Sequence, residues 1–273
     1  MNVLYIQNKK SGIIQEISKA KNFIFTRYSL GSPQPENRYA ENQSISGSIP
    51  IDTIYHKKPI VCTFGLLAKT KYQFKLIERE FQDIFYQESE YYIWFSDMPG
   101  IRYLVKPQAY DMNRMLVNMS SIELTFEAFE GYGESRGTTQ ELFEYKTEKW
   151  QLGMNIPHGE GLVYTANEKK FKIYNASNLV IDPRKRHMLD IQIKGVGTPT
   201  LKNLTTGDLF SLNPFIEKKD ELILSGVYPM LNKNHCGRQT NHGLITLEKG
   251  WNEFEIDGIV DFEVSFNFRF LYK

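Results

Sequence analysis

The sequence predicts a mainly β protein made of two β-rich halves, with one α-helix in the first half. Near the C-terminus, apolar and polar residues alternate strictly. The apolar set there is Phe262, Val264, Phe266, Phe268 and Phe270. Such alternation places all of these side chains on one face of a half-buried strand. A second alternating run lies at residues 122–128, so each half is expected to close on a well-marked strand.

The first half is expected to contain short strands around one long connection. The predicted strands cover residues 22–28, 51–56, 60–64, 91–95, 101–105 and 122–128. Between residues 30 and 50 the chain is polar and carries several glycines and prolines, which predicts a long loop. Loops of that length in compact domains are usually functional or disordered.

One α-helix is predicted over residues 70–87. Thr70 and Gln73 have the spacing of a capping box at its start. The apolar residues at helical spacing are Phe74, Ile77, Phe81, Ile84 and Phe85. They form one stripe, so we expect the helix to pack across a β-sheet.

A hairpin is predicted around residues 97–100, because Pro99 and Gly100 suit the two central positions of a type II turn. The first half is expected to end near Gly131 and Gly133. These glycines are not followed by the helix and third glycine of a dinucleotide-binding loop.

A polar stretch that is rich in glycine and proline follows, which is typical of a domain boundary. We expect domains at residues 1–140 and 162–273, joined by a linker at residues 141–161.

The second half is expected to be an antiparallel β-sandwich without a helix. Its predicted strands cover residues 171–174, 189–193, 200–204, 208–212, 221–224 and 244–247. Asp257 and Gly258 are expected to form the turn between the final two strands. Short strands at this spacing, separated by turn residues, are typical of a sandwich.

Composition excludes several classes of protein. The 33 basic and 32 acidic residues nearly cancel, so the overall charge does not favour a nucleic-acid or membrane partner. No apolar stretch is long enough for a membrane-spanning helix, and the N-terminal segment lacks the pattern of a secretory signal. Cys62 and Cys236 lie far apart, which is typical of synthesis in a reducing compartment. We expect a soluble protein.

Candidate chemistry is sparse. His235, Cys236 and His242 form the cluster most like a metal site, with His187 as a possible further ligand, but their spacing is not that of a zinc site. The basic run at residues 184–187 is expected to be a solvated turn. No nucleophile elbow and no paired carboxylates were found. We therefore predict no catalytic, cofactor-binding or metal-binding residues, and no enzyme activity.

The order of several motifs resembles the distal tail protein of siphophages. In the first half the similar segments are the helix, YYIWF at 91–95 with its DMPG turn, and IELTFEAF at 122–129. In the second half they are FKIYN at 171–175, LKNLTTGD at 201–208, and LEKGWN at 247–252 leading to FEVSF at 262–266. The resemblance extends over nearly the whole chain, and the order of the motifs carries it.

This resemblance implies a fold and a role. The implied fold is an N-terminal belt domain, a split β-barrel with one α-helix that is similar to tail-tube proteins, followed by a galectin-like β-sandwich. The implied role is that of a baseplate hub without cofactors at the tail tip of the virion, synthesised in the host cytoplasm. The implied assembly is a homohexamer that joins the tail-tube protein ring to the tail-associated lysin or tail-tip protein and to receptor-binding or baseplate proteins. DNA would pass through its lumen without specific binding, and no membrane partner is implied.

Two other functions stay open at this point. The first is a cell-surface carbohydrate-binding adhesin that uses the sandwich domain, which glycan-array binding would reveal. Such a site needs an exposed aromatic ring, whereas Trp251 is expected to be buried at a strand start. The second is a glycoside hydrolase, which turnover of cell-wall polysaccharide would reveal.

Overall fold

The structure, a computed structural model, describes residues 2–17, 23–41, 46–116, 119–157 and 161–273. The chain divides into two compact units, Met1–Gly133 with Lys273, and Glu134–Tyr272. The described residues are mainly β with a single α-helix, which confirms the predicted fold class. No helix among the described residues is long and apolar enough to cross a bilayer.

The first unit is built on one antiparallel sheet and one helix. Its elements are β1 (Leu4–Asn8), β2 (Ile14–Ile17), β3 (Phe23–Leu30), β4 (Pro35–Glu41), β5 (Ser48–Tyr55), β6 (Lys58–Leu67), α1 (Lys71–Phe85), β7 (Tyr91–Phe95), β8 (Met98–Pro107), β9 (Met112–Leu116) and β10 (Met119–Ala128). The strand order in the sheet is β2-β1-β7-β8-β10-β6-β3, and β9 pairs with the first part of β10. Residue 22, where we expected β3 to begin, lies outside the described residues.

Helix α1 covers one face of this sheet, as its stripe predicts. Thr70 caps the helix by accepting a hydrogen bond from the Gln73 backbone N–H at 3.1 Å. All five residues of the stripe are buried. The Phe81 ring, which is fully buried, contacts Phe23 of β3 and Phe64 of β6 at centroid distances of 5.6 and 5.2 Å. The helix is therefore a core element of the first unit.

The hairpin of β7 and β8 is present, but its turn is not the predicted one. Phe95 pairs with Met98, so the turn consists of Ser96 and Asp97, while Pro99 and Gly100 lie inside β8. Ser96 Oγ accepts a hydrogen bond from the Val3 backbone N–H at 2.8 Å. Contacts to a strand distant in sequence thus hold a turn that lacks proline and glycine at its centre.

The second unit is also antiparallel. Strand β11 (Gly133–Ser135) begins at the last residue before the boundary. The other strands of the second unit are β12 (Thr165–Ala166), β13 (Lys170–Asn175), β14 (Leu189–Asn203), β15 (Leu209–Ser211), β16 (Leu222–Ser225), β17 (Tyr228–Leu231), β18 (Asn234–His235), β19 (Gly250–Phe268) and β20 (Leu271–Tyr272). Two of them, β14 and β19, pair along almost their whole length and form the centre of the unit.

The predicted turn at Asp257 and Gly258 is wrong, because both residues lie inside β19. Likewise, the two strands expected at 189–193 and 200–204 are parts of β14. The pairing register shifts between Gly197 and Thr200, opposite Gly258. A Cβ atom on Gly258 would lie 2.2 Å from the Thr198 carbonyl oxygen. The glycines therefore allow two long strands to bulge together without separating.

This irregularity divides the unit into two layers. On one side of it, β14 and β19 pair with β16 and β12, and on the other side with β15 and β13. Phe254 and Phe266 belong to the two different parts of β19, and their ring centroids lie 4.9 Å apart in the buried interior. Of the alternating C-terminal run, Val264, Phe266, Phe268 and Phe270 are thus buried in the interior, as in a sandwich, while Phe262 is half-buried.

Residues 244–247 are not a strand, contrary to the prediction. They have one isolated bridge, between Leu247 and Ile181, and are held by buried side-chain amides. Asn203 Nδ2 donates to the Thr246 carbonyl at 2.7 Å, and Asn175 Nδ2 donates to the Leu247 carbonyl at 3.2 Å. Side-chain hydrogen bonds here satisfy backbone groups that a ladder would otherwise satisfy.

Residues 134–157 pack as part of the second unit. The Trp150 side chain is 3% exposed and its ring lies 5.9 Å from that of Phe270. Thr139 donates its backbone N–H to the Phe268 carbonyl at 3.1 Å. The unit therefore begins at Glu134, whereas we expected a first domain to residue 140 and a linker to residue 161.

Candidate functional site

The most exposed part of the first unit is a two-stranded hairpin made of β4 and β5, which we call the arm. Its strands pair from Pro35 opposite Tyr55 to Glu41 opposite Ser48. This differs from the irregular loop that we predicted for residues 30–50. The strands pair with each other and form a sheet of their own, so no apolar alternation against a core was available to reveal them. Residues 42–45 of the predicted loop lie outside the described residues.

Polar contacts hold the basal part of the arm. Glu36 accepts from His56 Nε2 at 2.8 Å and from Arg38 Nε at 3.4 Å. These hydrogen bonds, the one from His56 first, lower the pKa of Glu36 below its ordinary value. Across the same pair of strands, Thr53 donates its hydroxyl to Asn37 Oδ1 at 2.8 Å. These groups are exposed, so each contact adds little stability.

The outer part of the arm is apolar. Tyr39 lies opposite Pro50, and Ala40 lies opposite Ile49. The exposed fractions of Tyr39, Ile49 and Ile51 are 56%, 45% and 65%. The register places Tyr39 and Ile49 on opposite faces of the hairpin, so each face carries an exposed apolar side chain. An isolated two-stranded hairpin is marginally stable in water, so contact with a partner would stabilise the arm. The arm therefore has the properties of a docking element.

The main sheet of the first unit supplies two further candidate surfaces. Strands β2 and β3 stand at the two ends of the strand order. End strands present backbone N–H and C=O groups that another chain can pair with. Ile13 and Ile14, at the start of β2, are 69% and 52% exposed. Two different edges on one unit suit an assembly in which one surface meets a different surface of the next copy.

The structure separates the residues of the metal-like cluster. His235 and His242 line one surface cleft, whereas Cys236 is buried. His187 is buried elsewhere in the unit and accepts a hydrogen bond from the Asp182 backbone N–H at 3.0 Å. No group of three or more potential ligands forms among the residues that the structure describes.

The basic run at residues 184–187 follows a short turn that Asp182 caps. Arg184 pairs with Asp182 through two hydrogen bonds, of 2.9 and 3.0 Å. Burial alone would raise the pKa of Asp182, but hydrogen bonds from the Arg184 side chain and backbone outweigh it and lower the pKa. These contacts explain the run as a structural turn.

Trp251 is not buried as we predicted. Its side chain is 45% exposed and contacts Tyr174 edge to face, with 5.0 Å between centroids. Successive residues of β19 point to opposite faces, so Trp251 lies on the outer face while the next residue, Asn252, is buried. The strand period, rather than the position at the strand start, decides its exposure.

The chain is similar to known phage tail proteins in sequence and in fold. Residues 15–128 match the family described as phage tail protein RIFT-related domain. Among solved structures, the SPP1 Dit (gp 19.1) protein, described as a paradigm of the hub adsorption apparatus in phages that infect Gram-positive bacteria, matches with a TM-score of 0.69. The identity is 9%, and the match covers 99% of each chain, so the two share a fold.

Two structures of the phage P2 baseplate in its activated conformation, with calcium and with strontium, also match. Their TM-scores are 0.46 and 0.47, at 10% identity over 98% of each chain. No curated protein matches this chain.

Proposed function

We propose that this chain, which carries a phage tail protein RIFT-related domain at residues 15–128, is the distal tail protein of a long-tailed, non-contractile phage. The resemblance to siphophage distal tail proteins that the sequence predicts is confirmed by the domain match and by the fold shared with SPP1 Dit. The protein is a structural tail component of the virion and not an enzyme. The single observation that carries the proposal is the shared fold over 99% of both chains.

We further propose the assembly that the family resemblance implies. Six copies form a ring at the tail tip, with the first unit as the belt and the second as the galectin-like domain. The ring joins the tail-tube protein ring to the tail-associated lysin or tail-tip protein, and to receptor-binding or baseplate proteins. Its lumen lets DNA pass without specific binding. The chain is synthesised in the host cytoplasm before the virion is assembled.

The chemistry of the surfaces supports this proposal. A ring of identical subunits needs two different complementary surfaces, and the ends of the main sheet at β2 and β3 offer them. A contact to a second ring needs an exposed element outside the main sheet, and the arm forms a sheet of its own with exposed apolar residues in its outer part. Neither task requires an activated side chain.

The test is the state of the purified full-length protein. Light scattering is expected to give about six times the 31.9 kDa chain mass, and negative-stain images are expected to show rings with six-fold symmetry. A monodisperse monomer over the micromolar range would contradict the ring. Labelled antibodies against the chain should bind the tail tip of intact virions, and labelling of the head or the tube shaft alone would contradict the location.

A further inference from the structure

The second unit contains a surface cleft of about 470 Å³. Its lining residues are Val227, Tyr228, Pro229, His235, Gly237, Thr240, His242, Gly243 and Leu244. This volume falls within the range of small-molecule sites, roughly 300–1,000 Å³. None of the lining residues is Asp, Glu, Lys or Arg. A ligand that fits here is therefore expected to be uncharged.

One wall of the cleft is the hairpin of β17 and β18. Leu231 pairs with Asn234, and the two turn residues, Asn232 and Lys233, have φ values of 49° and 67°. Two successive positive φ values are the geometry of a type I′ turn, which matches the twist of paired strands. The Cys236 backbone N–H donates to the Pro229 carbonyl at 3.0 Å and extends this wall.

The opposite wall is the segment from Gly237 to Leu244. Hydrogen bonds of its side chains hold the backbone of this segment in place. Thr240 Oγ1 donates to the Gly237 carbonyl at 2.8 Å and accepts from the His242 backbone N–H at 3.1 Å. Asn241 Nδ2 donates to the Leu209 carbonyl at 3.0 Å. A Cβ atom on Gly243 would lie 1.8 Å from that same carbonyl oxygen, so only glycine fits. The cleft is therefore formed before any ligand binds.

The chemistry inside the cleft combines an aromatic ring with neutral hydrogen-bonding groups. The Tyr228 side chain is 62% exposed, and its ring meets that of His235 at a centroid distance of 5.7 Å. His242 adds a second exposed imidazole, while Val227, Pro229 and Leu244 supply apolar surface. Two imidazoles alone fall short of the ligand set of a metal ion, and the described residues around them complete none.

We propose that this cleft binds a neutral saccharide, with one sugar ring stacked on Tyr228 and its hydroxyl groups hydrogen-bonded to His235 and His242. A sugar has an apolar face of C–H groups and an edge of hydroxyls, and the cleft offers one partner for each. The inference goes beyond the proposed function, because a ring assembles through the first unit whether or not the second unit holds a sugar.

The experiment uses the full-length protein and an array of neutral oligosaccharides built from glucose, galactose, rhamnose and N-acetylglucosamine. The strongest binder is then titrated by calorimetry. Tyr228→Ala is expected to weaken binding about tenfold, since an aromatic stacking contact contributes on that scale. Tyr228→Phe keeps the ring and is expected to bind within about threefold of the unchanged protein.

Trp251→Ala is the matched control, because Trp251 is an exposed aromatic of the same unit outside the cleft. It is expected to leave binding unchanged. Binding to no array member would overturn the proposal, as would equal binding by Tyr228→Ala and the unchanged protein. Loss of binding in Trp251→Ala with retention in Tyr228→Ala would place the sugar elsewhere and would also overturn it. Ring formation by every variant separates these outcomes from a failure of the proposed function.

Discussion

At the scale of single residues, large buried side chains and buried amides carry the fold. Asn252 is fully buried, donates to the Glu248 carbonyl at 2.8 Å and accepts from the Glu248 backbone N–H at 2.8 Å. Asn175 and Asn203 act in the same way on nearby segments. These asparagines belong to the motifs that resemble distal tail proteins. Within these motifs, the buried asparagines therefore satisfy backbone groups of neighbouring segments.

Phe81→Ala is expected to lower the free energy of unfolding of the first unit by about 3–5 kcal/mol, the range for removing a buried large aromatic. Phe81 is fully buried and contacts Phe85 at a centroid distance of 4.6 Å in addition to its contacts with the sheet. Urea unfolding followed by circular dichroism measures the change. Leu76→Ala, on the exposed face of the same helix, is the control, and a loss equal to that of the control would contradict the assigned core role.

His187 is expected to make the second unit sensitive to acid. Burial lowers its pKa below the ordinary 6.5, and its Nδ1 atom accepts a hydrogen bond from Asp182, which requires the neutral ring. The Val180 carbonyl lies 3.1 Å from the same atom and could accept a hydrogen bond only from a ring that carries a proton on Nδ1. The unfolded chain therefore binds the proton more readily. This contribution to stability is full above about pH 6.5 and is lost as the pH falls through the folded-state pKa.

The measurement is the free energy of unfolding of the full-length protein between about pH 7.5 and 5. In the His187→Gln variant this free energy is expected to fall less with decreasing pH than in the unchanged protein. His235→Gln, at an exposed histidine, should retain the original profile. Identical profiles for all three proteins would show that His187 does not contribute.

At the scale of elements, the long strands and the arm differ most from expectation. Strand β19 continues through Gly258, although an Asp-Gly pair predicts a turn. The reason is tertiary, because β14 pairs with β19 on both sides of that position. The arm was predicted as a loop, since its strands face solvent on almost every residue and carry no buried face. Local patterns identify strands through burial, and the arm lacks that signal.

Gly258→Ala is expected to destabilise the second unit more than Gly250→Ala, although both glycines lie in β19 with positive φ. A side chain at either position incurs the left-handed strain of about 1–2 kcal/mol. At Gly258 the new Cβ would also meet the Thr198 carbonyl, whereas no atom lies within 4 Å at Gly250. The difference is expected to be about 1–3 kcal/mol. Thermal and urea unfolding of both variants measure it, and equal losses would contradict the close approach.

If the chain has the proposed function, the arm is expected to contact a neighbouring ring, the terminal ring of the tail tube. A double variant, Ile49→Ser with Ile51→Ser, removes exposed apolar surface and is expected to leave the unfolding temperature of the protein within about 2 °C. In a phage that carries it, tails with an attached tip should become rare in negative-stain images. Val260→Ser, at an exposed site in the second unit, is the control. Normal tail assembly with the double variant would rule the arm out.

At the scale of the whole molecule, the two units have different needs for a partner. The first unit has sheet ends at β2 and β3 and an arm that forms a sheet of its own. The second buries its alternating apolar residues between its own layers. A stable contact between copies buries roughly 800 Å² on each partner. We expect the first unit to provide this contact, because the strands at its sheet ends can pair with another chain.

Two fragments test this assignment. Residues 2–133 are expected to form rings, whereas residues 134–273 are expected to be monomeric in light scattering. The cut follows Gly133 because Trp150 and Met154 are buried in the second unit, and a cut after them would leave their partners exposed. A monomeric first fragment together with a hexameric second fragment would reverse the assignment of the ring.

The sequence by itself determined the features that repeat with a structural period. The stripe of α1 was correct, and so was the alternation that buries Val264, Phe266, Phe268 and Phe270, because burial on one face selects apolar residues at that period. Only the tertiary structure decided the path through Gly258, the Ser96 turn, the arm, and the meeting of Tyr228, His235 and His242 in one cleft. The path through Gly258 and the Ser96 turn depend on contacts with segments distant in sequence, which no local propensity records. The arm is built mostly from exposed residues and the three cleft residues are exposed, so they carry no periodic burial signal.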